Sequence, residues 1–533
     1  MRIGIFLSVV AVFSQLCVGH AFGLPFDMPR VNIPTFKTDT FNIEKYGARG
    51  DGMFLNTEAI AKAIDACSNN GGGVVLIPSG VWITGPVVLK NNVNLCVKRG
   101  ALLQFSTNKD HYPLVDGYYE GAKSKRCQSP ISGVGLMNIA ITGGGVIDGA
   151  GHVWRSVKKD KLTESQWKDL IKYGGLLDEK GKTWYPSEKY RKGELIKGMV
   201  PKGSPIQAYE DVKDFFRPVL LSLIECKNIL LDGPTFQNSP NWGLHPLMCE
   251  HITVRNIRVY NPEYAQNGDA LDLESCRIGT IDNCVFDAGD DAICLKSGKN
   301  EEGRKRGKPT ELFVITNCLV YHGHGGFVVG SEMSGGVRNI FVDNCTFMGT
   351  DIGLRFKSSR ERGGVVENIW ISNISMSDIA TEAVSFNMYY GGKSPKETDN
   401  TADVEDSIPA VNDGTPQFRN LYIRNVQCNG AARAILAQGL PEMSIQNIMF
   451  ENVSICANEG ISVIDAENIS MKNVSVKSAK GHPIWIKNGK KISLEAIHVP
   501  EGQSRKIKIS GTRNSAINID GKNVNSKTGE VDF

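Results

Sequence analysis

The chain has 533 residues, 41% of them hydrophobic and 22% charged, with a mean hydropathy of −0.20. It has the apolar material for a core and is neither a disordered nor a membrane-saturated sequence. Its 60 Lys and Arg against 57 Asp and Glu leave a formal net charge of +3, without the basic excess that a nucleic-acid binder uses to neutralise phosphates.

The first 21 residues read as an export signal. Arg2 supplies the positive start, Ile3 to Val18 an apolar stretch too short to span a bilayer, and Gly19-His20-Ala21 the small residues of a cleavage site. The mature chain is expected to begin near Phe22 and to work in the periplasm or outside the cell. No later run has membrane length, so no membrane span is expected. Next, Asn56 to Cys67 has the apolar spacing of an amphipathic helix with Asn56 as its N-cap, and Gly71 to Pro78 reads as an early strand. A segment from about Trp154 to Phe216 breaks the pattern of its neighbours. It holds a short helix with a capping box at Thr163 and Gln166 and is too poor in apolar residues for its own core.

From about Lys227 a pattern of the form x-Asn-Ile-x-Ile-x-Asn recurs, beginning with KNILLDG, where Gly233 takes the closing Asn position. Later copies close on Asn256, Asn283, Asn317, Asn344, Asn373, Asn425, Asn452 and Asn473, with gaps of 27, 34, 27, 29, 52, 27 and 21. The gap of 52 is one coil plus an insertion at about Gly391 to Gln417. A repeat of this length with two-residue alternation inside it predicts a solenoid of short strands, a parallel β-helix. The fold class is therefore all-β: one β-helix domain over 22–533 with an N-terminal capping helix and two insertions. Cys284, Cys318 and Cys345 follow the repeat Asn where other coils have Ile257, Ile374, Val426, Val453 and Val474, so they are expected as free thiols in one inward column. The Asn residues are expected to form a hydrogen-bonded ladder, with the sequons at Asn373 and Asn452 buried in it. The Lys-rich last coils read as a charged edge that discourages aggregation.

Aligning the strand after each repeat Asn stacks Asp269 to Ser275, Asp291 to Ser297, Gly325 to Ser331 and Ile352 to Ser358. This puts Asp269 and Asp291 in one column about 4.8 Å apart, His324 on Asp290, Lys357 in line with Lys296, and Arg355 in line with Asp272. Carboxylates so close cannot all ionise freely, so at least one pKa rises and leaves a proton donor beside carboxylate bases. Glycoside hydrolysis needs that combination. A plain Asp ladder or a Ca²⁺ site is the bland alternative. Gly323 and Gly325 are read as leaving room for a ligand beside His324, and Lys299 to Lys308 either as a basic loop able to steer a polyanion or, equally, as a merely solvated loop.

At these residues the sequence resembles the polygalacturonase family, glycoside hydrolase family 28. The family's Asn-Thr-Asp stands here as Asn267-Gly268-Asp269, its Gly-Asp-Asp as Gly289-Asp290-Asp291, its Gly-His-Gly as Gly323-His324-Gly325 and its Arg-Ile-Lys as Arg355-Phe356-Lys357. The resemblance implies Asp290 as general acid, Asp269 and Asp291 as activators of the attacking water with inversion, and His324 as the tuner of Asp290. It further implies Arg355 and Lys357 as partners of a uronate carboxylate, with Asn267 as a substrate-binding candidate and Tyr389 and His245 as weaker ones for which a packing role is the equal alternative. No cofactor or metal is implied, the partner is a pectic polysaccharide or oligogalacturonide, and a monomer is expected. The stretches 330–336 and 353–364 look like bacterial exo-acting members. The other readings weighed are a rhamnogalacturonan or xylogalacturonan hydrolase, a Ca²⁺-dependent pectate lyase, and a carbohydrate-binding solenoid.

Overall fold

The computed structural model describes residues 24–201, 203–391, 408–524 and 528–533. The expected export signal and most of the second insertion lie outside the described residues. Short strands stack coil on coil in one large, almost wholly parallel sheet wound as a right-handed β-helix, the hand expected of parallel crossovers. Among the described residues no helix is long and apolar enough to cross a membrane.

The register explains the repeat. Leu221, Leu244, Leu271, Ile293, Phe327, Leu354, Val384, Ile435, Ile461, Ile484 and Ile507 pair successively, one per coil. All are buried. Each coil buries little alone, so apolar burial accrues through such columns, which is why the pattern must hold along the chain. Cys345, Ile374, Val426, Val453 and Val474 form the expected column, and Cys284, Cys318 and Cys345 are buried free thiols. A second thiol stack, Cys226, Cys249 and Cys276, was not read from the sequence. The Cys226 amide donates to Cys249 Sγ at 3.4 Å and the Cys249 amide to Cys276 Sγ at 3.4 Å. One-residue offsets before each strand (Glu225-Cys226, Met248-Cys249, Ser275-Cys276) carried the signal.

The repeat Asn is there because the chain turns through the left-handed region. Asn256, Asn283 and Asn317 have φ of 57°, 53° and 56°, and Gly233 in the first copy has 98°. Asn tolerates this conformation better than other residues bearing a Cβ, and Gly has no penalty there. The amides also form the ladder: Asn283 donates to Asn256 at 2.8 Å, Asn344 to Asn317 at 2.7 Å and Asn425 to Asn373 at 3.0 Å. The ladder is not buried, however. Asn373 and Asn452 are exposed, because the bend they make between two stretches of strand lies on the outside of the coil.

At the N-terminal end the helix Thr57–Asn69 covers the first coils with Ala59, Ile60, Ala63, Ile64 and Cys67. Asn56 precedes it but does not cap it through its side chain. Its buried amide instead accepts from the Arg49 N–H and donates to the Arg49, Phe54 and Ile83 carbonyls, tying the loop to the first coil. At the other end the strands Lys506–Ser510 and Ser515–Ile519 pair antiparallel with Gly529–Asp532 and Lys522–Val524. The open edge is thus covered by chain as well as by charge.

The excursion of 154–216 contains the helix Glu164–Lys172 with the expected capping box, two further helices, and a three-stranded antiparallel sheet. Val157, Trp167 and Trp184 make its small apolar cluster. Beside it stands an antiparallel hairpin, Leu114–Tyr119 with Ala122–Cys127, that sequence reasoning missed. The basic stretch at Lys299 is a helix, Asn300–Arg306, and its cations are largely engaged. Lys299 pairs with Glu120 at 3.1 Å, Lys305 with Glu301 at 2.5 Å and Arg306 with Glu274 at 2.6 Å. It braces the hairpin, so the reading of a free steering loop does not hold.

Candidate active site

Four stacked strands, Leu271–Glu274, Asp291–Lys296, Gly325–Gly330 and Leu354–Lys357, carry the site in the register expected from the sequence. Asp269, Asp290 and Asp291 each bring a carboxylate oxygen within 4.8 Å of the others. Their accessibility differs sharply. The Asp290 side chain is 19% exposed, against 4% for Asp269 and 1% for Asp291.

The surrounding cations sort the three. Lys357 Nζ lies 2.6 Å from Asp291 Oδ2, and Arg355 Nη1 lies 3.2 Å from Oδ1. Burial alone would raise the Asp291 pKa, but Lys357, Arg355 and Lys296 outweigh it and hold the carboxyl far below the usual range. Asp269 is the opposite case. Burial, reinforced by Asp272 and Asp290, pushes its pKa well above the ordinary value, and Lys296 at 3.8 Å offsets only part of that. Asp272 is likewise raised, to about 6, mainly by burial. The expected pKa rise therefore occurs at Asp269, and at Asp272 beneath it. Such close carboxylates share protons as a set.

His324 Nδ1 is 2.9 Å from Asp290 Oδ1, and Nε2 is 3.8 Å from Asp351 Oδ2. The Asp290 hydrogen bond raises the His324 pKa against the opposing effect of burial. The glycines around His324 do not leave space for a ligand. A Cβ on Gly323, whose φ is 149°, would meet the Asp290 carbonyl oxygen at 2.7 Å, and one on Gly325 would meet Val328 at 2.4 Å and the Arg355 side chain at 3.3 Å. They let the coil close over Asp290 and Arg355 instead.

Beneath the three carboxylates lies a dry ionic layer. Lys296 sits 3.4 Å from Asp272 and 3.3 Å from Glu332, with Nζ 4.6 Å from the Trp242 ring centroid. His245 is buried in this layer, its Nε2 3.0 Å from Glu274 Oε2 and its ring edge-on to Trp242. It orients buried charge and presents nothing to the groove. Tyr389 is also in the core, under the Arg360 guanidinium. Its neighbour Tyr390 is 39% exposed and packs beside the site cations, 5.6 Å from the Arg355 guanidinium and 5.0 Å from Lys357 Nζ. The exposed ring beside the site cations is thus Tyr390, one residue on from the candidate Tyr389. Asn267 has φ of 54° and accepts from Arg217 Nη2 at 2.9 Å; it stands at the rim beside Asp269.

The three carboxylates have the spacing to bridge a cation. Yet both Asp291 oxygens already face fixed positive charge, and Lys296 supplies a third cation below. A hard cation with its oxygen ligands would have to displace these pairs. What the arrangement can do chemically is hold one ionised carboxylate, one buried carboxyl pushed toward its neutral form and one accessible carboxyl within a few Å of a bond laid across the groove.

Residues 204–415 match the model of glycosyl hydrolases family 28. An exo-poly-alpha-D-galacturonosidase of Dickeya chrysanthemi is 29% identical over 462 residues, covering 83% of this chain and 72% of that protein. An endo-polygalacturonase of Pectobacterium carotovorum subsp. carotovorum is 26% identical over 69% of this chain and 79% of its own length. Among solved structures, a hyperthermoactive exopolygalacturonase from Thermotoga maritima superposes with a TM-score of 0.66 at 26% identity, covering 94% of this chain and 96% of that one.

Proposed function

We propose that this chain, a glycoside hydrolase resembling the bacterial exo-acting polygalacturonases of family 28, hydrolyses the α-1,4-galacturonosyl linkages of pectin and polygalacturonate from a chain end. The observation that carries the reading is the Asp269, Asp290, Asp291 cluster with its cations, on a groove whose side toward the earlier coils is walled by the hairpin and the 154–216 excursion.

Reach assigns the roles. Asp290 is the carboxyl open enough to touch a glycosidic oxygen, so it is the general acid. Asp269, pushed toward its neutral form, shares a proton with Asp290 across less than 4.8 Å and keeps the acid supplied. Ionised Asp291, held in place by Lys357 and Arg355, together with Asp269 once its proton has passed to Asp290, activates the attacking water. Arg355, with its side chain 16% exposed, and Tyr390 beside it face the uronate ring. Lys357, 6% exposed, acts on the substrate through Asp291.

Inversion at the anomeric carbon is part of the proposal and rests on the family resemblance. The carboxylate spacing here is shorter than the ~6.5–9.5 Å of ordinary inverting pairs. Proton NMR of the first-formed anomer tests it directly: the β anomer from an α linkage supports inversion, and the α anomer refutes it. Export to the periplasm or medium and a monomeric state complete the reading. The hydrolase reading itself is tested by following polygalacturonate digestion with a chelator present. New reducing ends without an unsaturated product support it, and an unsaturated product with chelator-sensitive activity would replace it by a lyase.

A further inference from the structure

A cavity of about 450 Å³ lies where the hairpin, the 154–216 excursion and the coil turns meet, lined in part by Tyr119, Arg126, Glu194, Lys197, Arg217 and Asn267. It abuts the catalytic cluster by two routes. Arg217 holds Asn267, two residues from Asp269, at 2.9 Å. Tyr119 packs on Trp242 with centroids 5.1 Å apart, and the same Trp242 carries Lys296, the cation beneath Asp269.

The charges in this cavity are unusual. Arg126 and Arg217 are both more than nine-tenths buried, and among the described residues neither is ion-paired with a carboxylate. Arg126 lies on the face of Tyr119, 4.0 Å from its centroid, and donates to the Arg217 carbonyl. Arg217 uses its guanidinium on the Pro240 and Gln266 carbonyls and on Asn267. Burial pulls the Arg126 pKa down to about 10, with Arg217 acting in the same direction. Of the acids here, Glu120 is engaged by Lys299. Glu194 is pushed toward its neutral form by burial and has a buried Oε2 without a hydrogen-bond partner. Buried guanidinium groups without counter-ions are costly unless an anion completes them, and Arg presents the fork that fits a carboxylate.

We infer that this cavity is a second carboxylate-recognition subsite, in which Arg126 and Arg217 receive the uronate carboxylate of the terminal, non-reducing ring while Glu194 contacts its hydroxyls. The inference deepens the exo-hydrolase reading and rests on it. The cavity is closed by the hairpin and the excursion, which lie outside the repeat, so it ends the groove one ring beyond the catalytic carboxylates and selects a chain end that is still acidic.

The test compares trigalacturonate with the same trimer methyl-esterified on its non-reducing ring only. The wild-type chain should cleave the ester at least tenfold less efficiently in kcat/KM, and Arg126→Gln should narrow that difference to within about threefold. Thermal melting by circular dichroism establishes that the variant is folded. If it is not, Lys197→Ala at the exposed rim takes its place and should reduce the preference about threefold. Equal cleavage of both trimers by the wild type, or an undiminished preference in the folded variant used, overturns the subsite. Failure of the wild type to hydrolyse unmodified polygalacturonate would instead overturn the hydrolase reading, so the two failures are distinct.

Discussion

Lys357 donates to Asp291 at 2.6 Å across 66 residues of sequence and two coils of the helix, with both side chains almost completely buried. The pairing makes Lys357 a determinant of Asp291 ionisation before it is anything to a substrate. Lys357→Ala should raise the Asp291 pKa and move the acid limb of the kcat/KM profile to higher pH by about one unit or more, since only Arg355 and Lys296 then oppose burial. Activity should fall on acidic and methyl-esterified pectin alike. Loss confined to acidic pectin would instead mean that Lys357 contacts the uronate directly.

Asp290→Asn removes the proton donor without changing shape. Turnover on polygalacturonate should drop by about a hundredfold or more, the scale of general-acid catalysis, with KM little altered. A variant that retains a tenth of wild-type turnover would show that the proton reaches the leaving oxygen from another group.

The His324 ring reports on the same carboxylate. Its pKa is raised above the ordinary value chiefly by the hydrogen bond to Asp290, so it should titrate above about 6.5 in the intact site. In Asp290→Asn the titration should move to lower pH. NMR of the ring protons across pH 5 to 9 measures both, and an unmoved midpoint would break the link between the two residues.

The helical stack was legible because one-dimensional repetition writes its register into the sequence. Aligning on the repeat Asn placed Asp269 over Asp291, His324 over Asp290, and Arg355 and Lys357 in their columns, as the strand pairing shows. What escaped were contacts that cross the repeat. The hairpin at Leu114–Tyr119 carries no repeat signature, and Arg126 meets Arg217 only because the excursion folds back. Accessibility escaped as well. Residue type leaves His245 and Tyr389 as candidates for either binding or packing, and only the structure shows Trp242 and Arg360 packed on them. Tyr390, one residue on, is the exposed ring.

Asp272 offers a test read as stability rather than as turnover. Its carboxyl is fully buried, neither oxygen has a hydrogen-bond partner, and its pKa is raised from 3.8 to about 6. A carboxyl whose folded pKa lies above its unfolded one contributes stability that is complete below about 3.8 and lost as pH rises through about 6. The neutral Asp272→Asn should therefore raise Tm by a few degrees at pH 7.5, reflecting on the order of 3 kcal/mol, and change it little at pH 3.5. Destabilisation at pH 7.5 would mean that Lys296 needs the Asp272 charge more than burial penalises it.

Exo action is the prediction that depends most on the walls of the groove. A polymer cut in mid-chain must run out of both ends of the site, whereas a chain cut from its terminus gains by having one end enclosed. Here the enclosure is physical and braced. Lys299 holds Glu120 at the hairpin tip, Arg306 donates to the Gly121 carbonyl at 2.9 Å, and the Lys123 amide donates to Glu302 at 3.1 Å. The second insertion expected to contribute, about Gly391 to Gln417, lies mostly outside the described residues, so the wall toward the earlier coils carries the argument alone. Polygalacturonate should lose viscosity slowly relative to the reducing ends formed, with mono- or digalacturonate released from the non-reducing end from the first minutes. Deleting the hairpin tip by replacing Tyr118 to Lys123 with a two-residue turn should open the groove and shift the products toward longer oligomers. A rapid viscosity drop with mid-length oligomers from the unaltered chain would show that polymer passes this wall, and would leave a hydrolase that cuts internally.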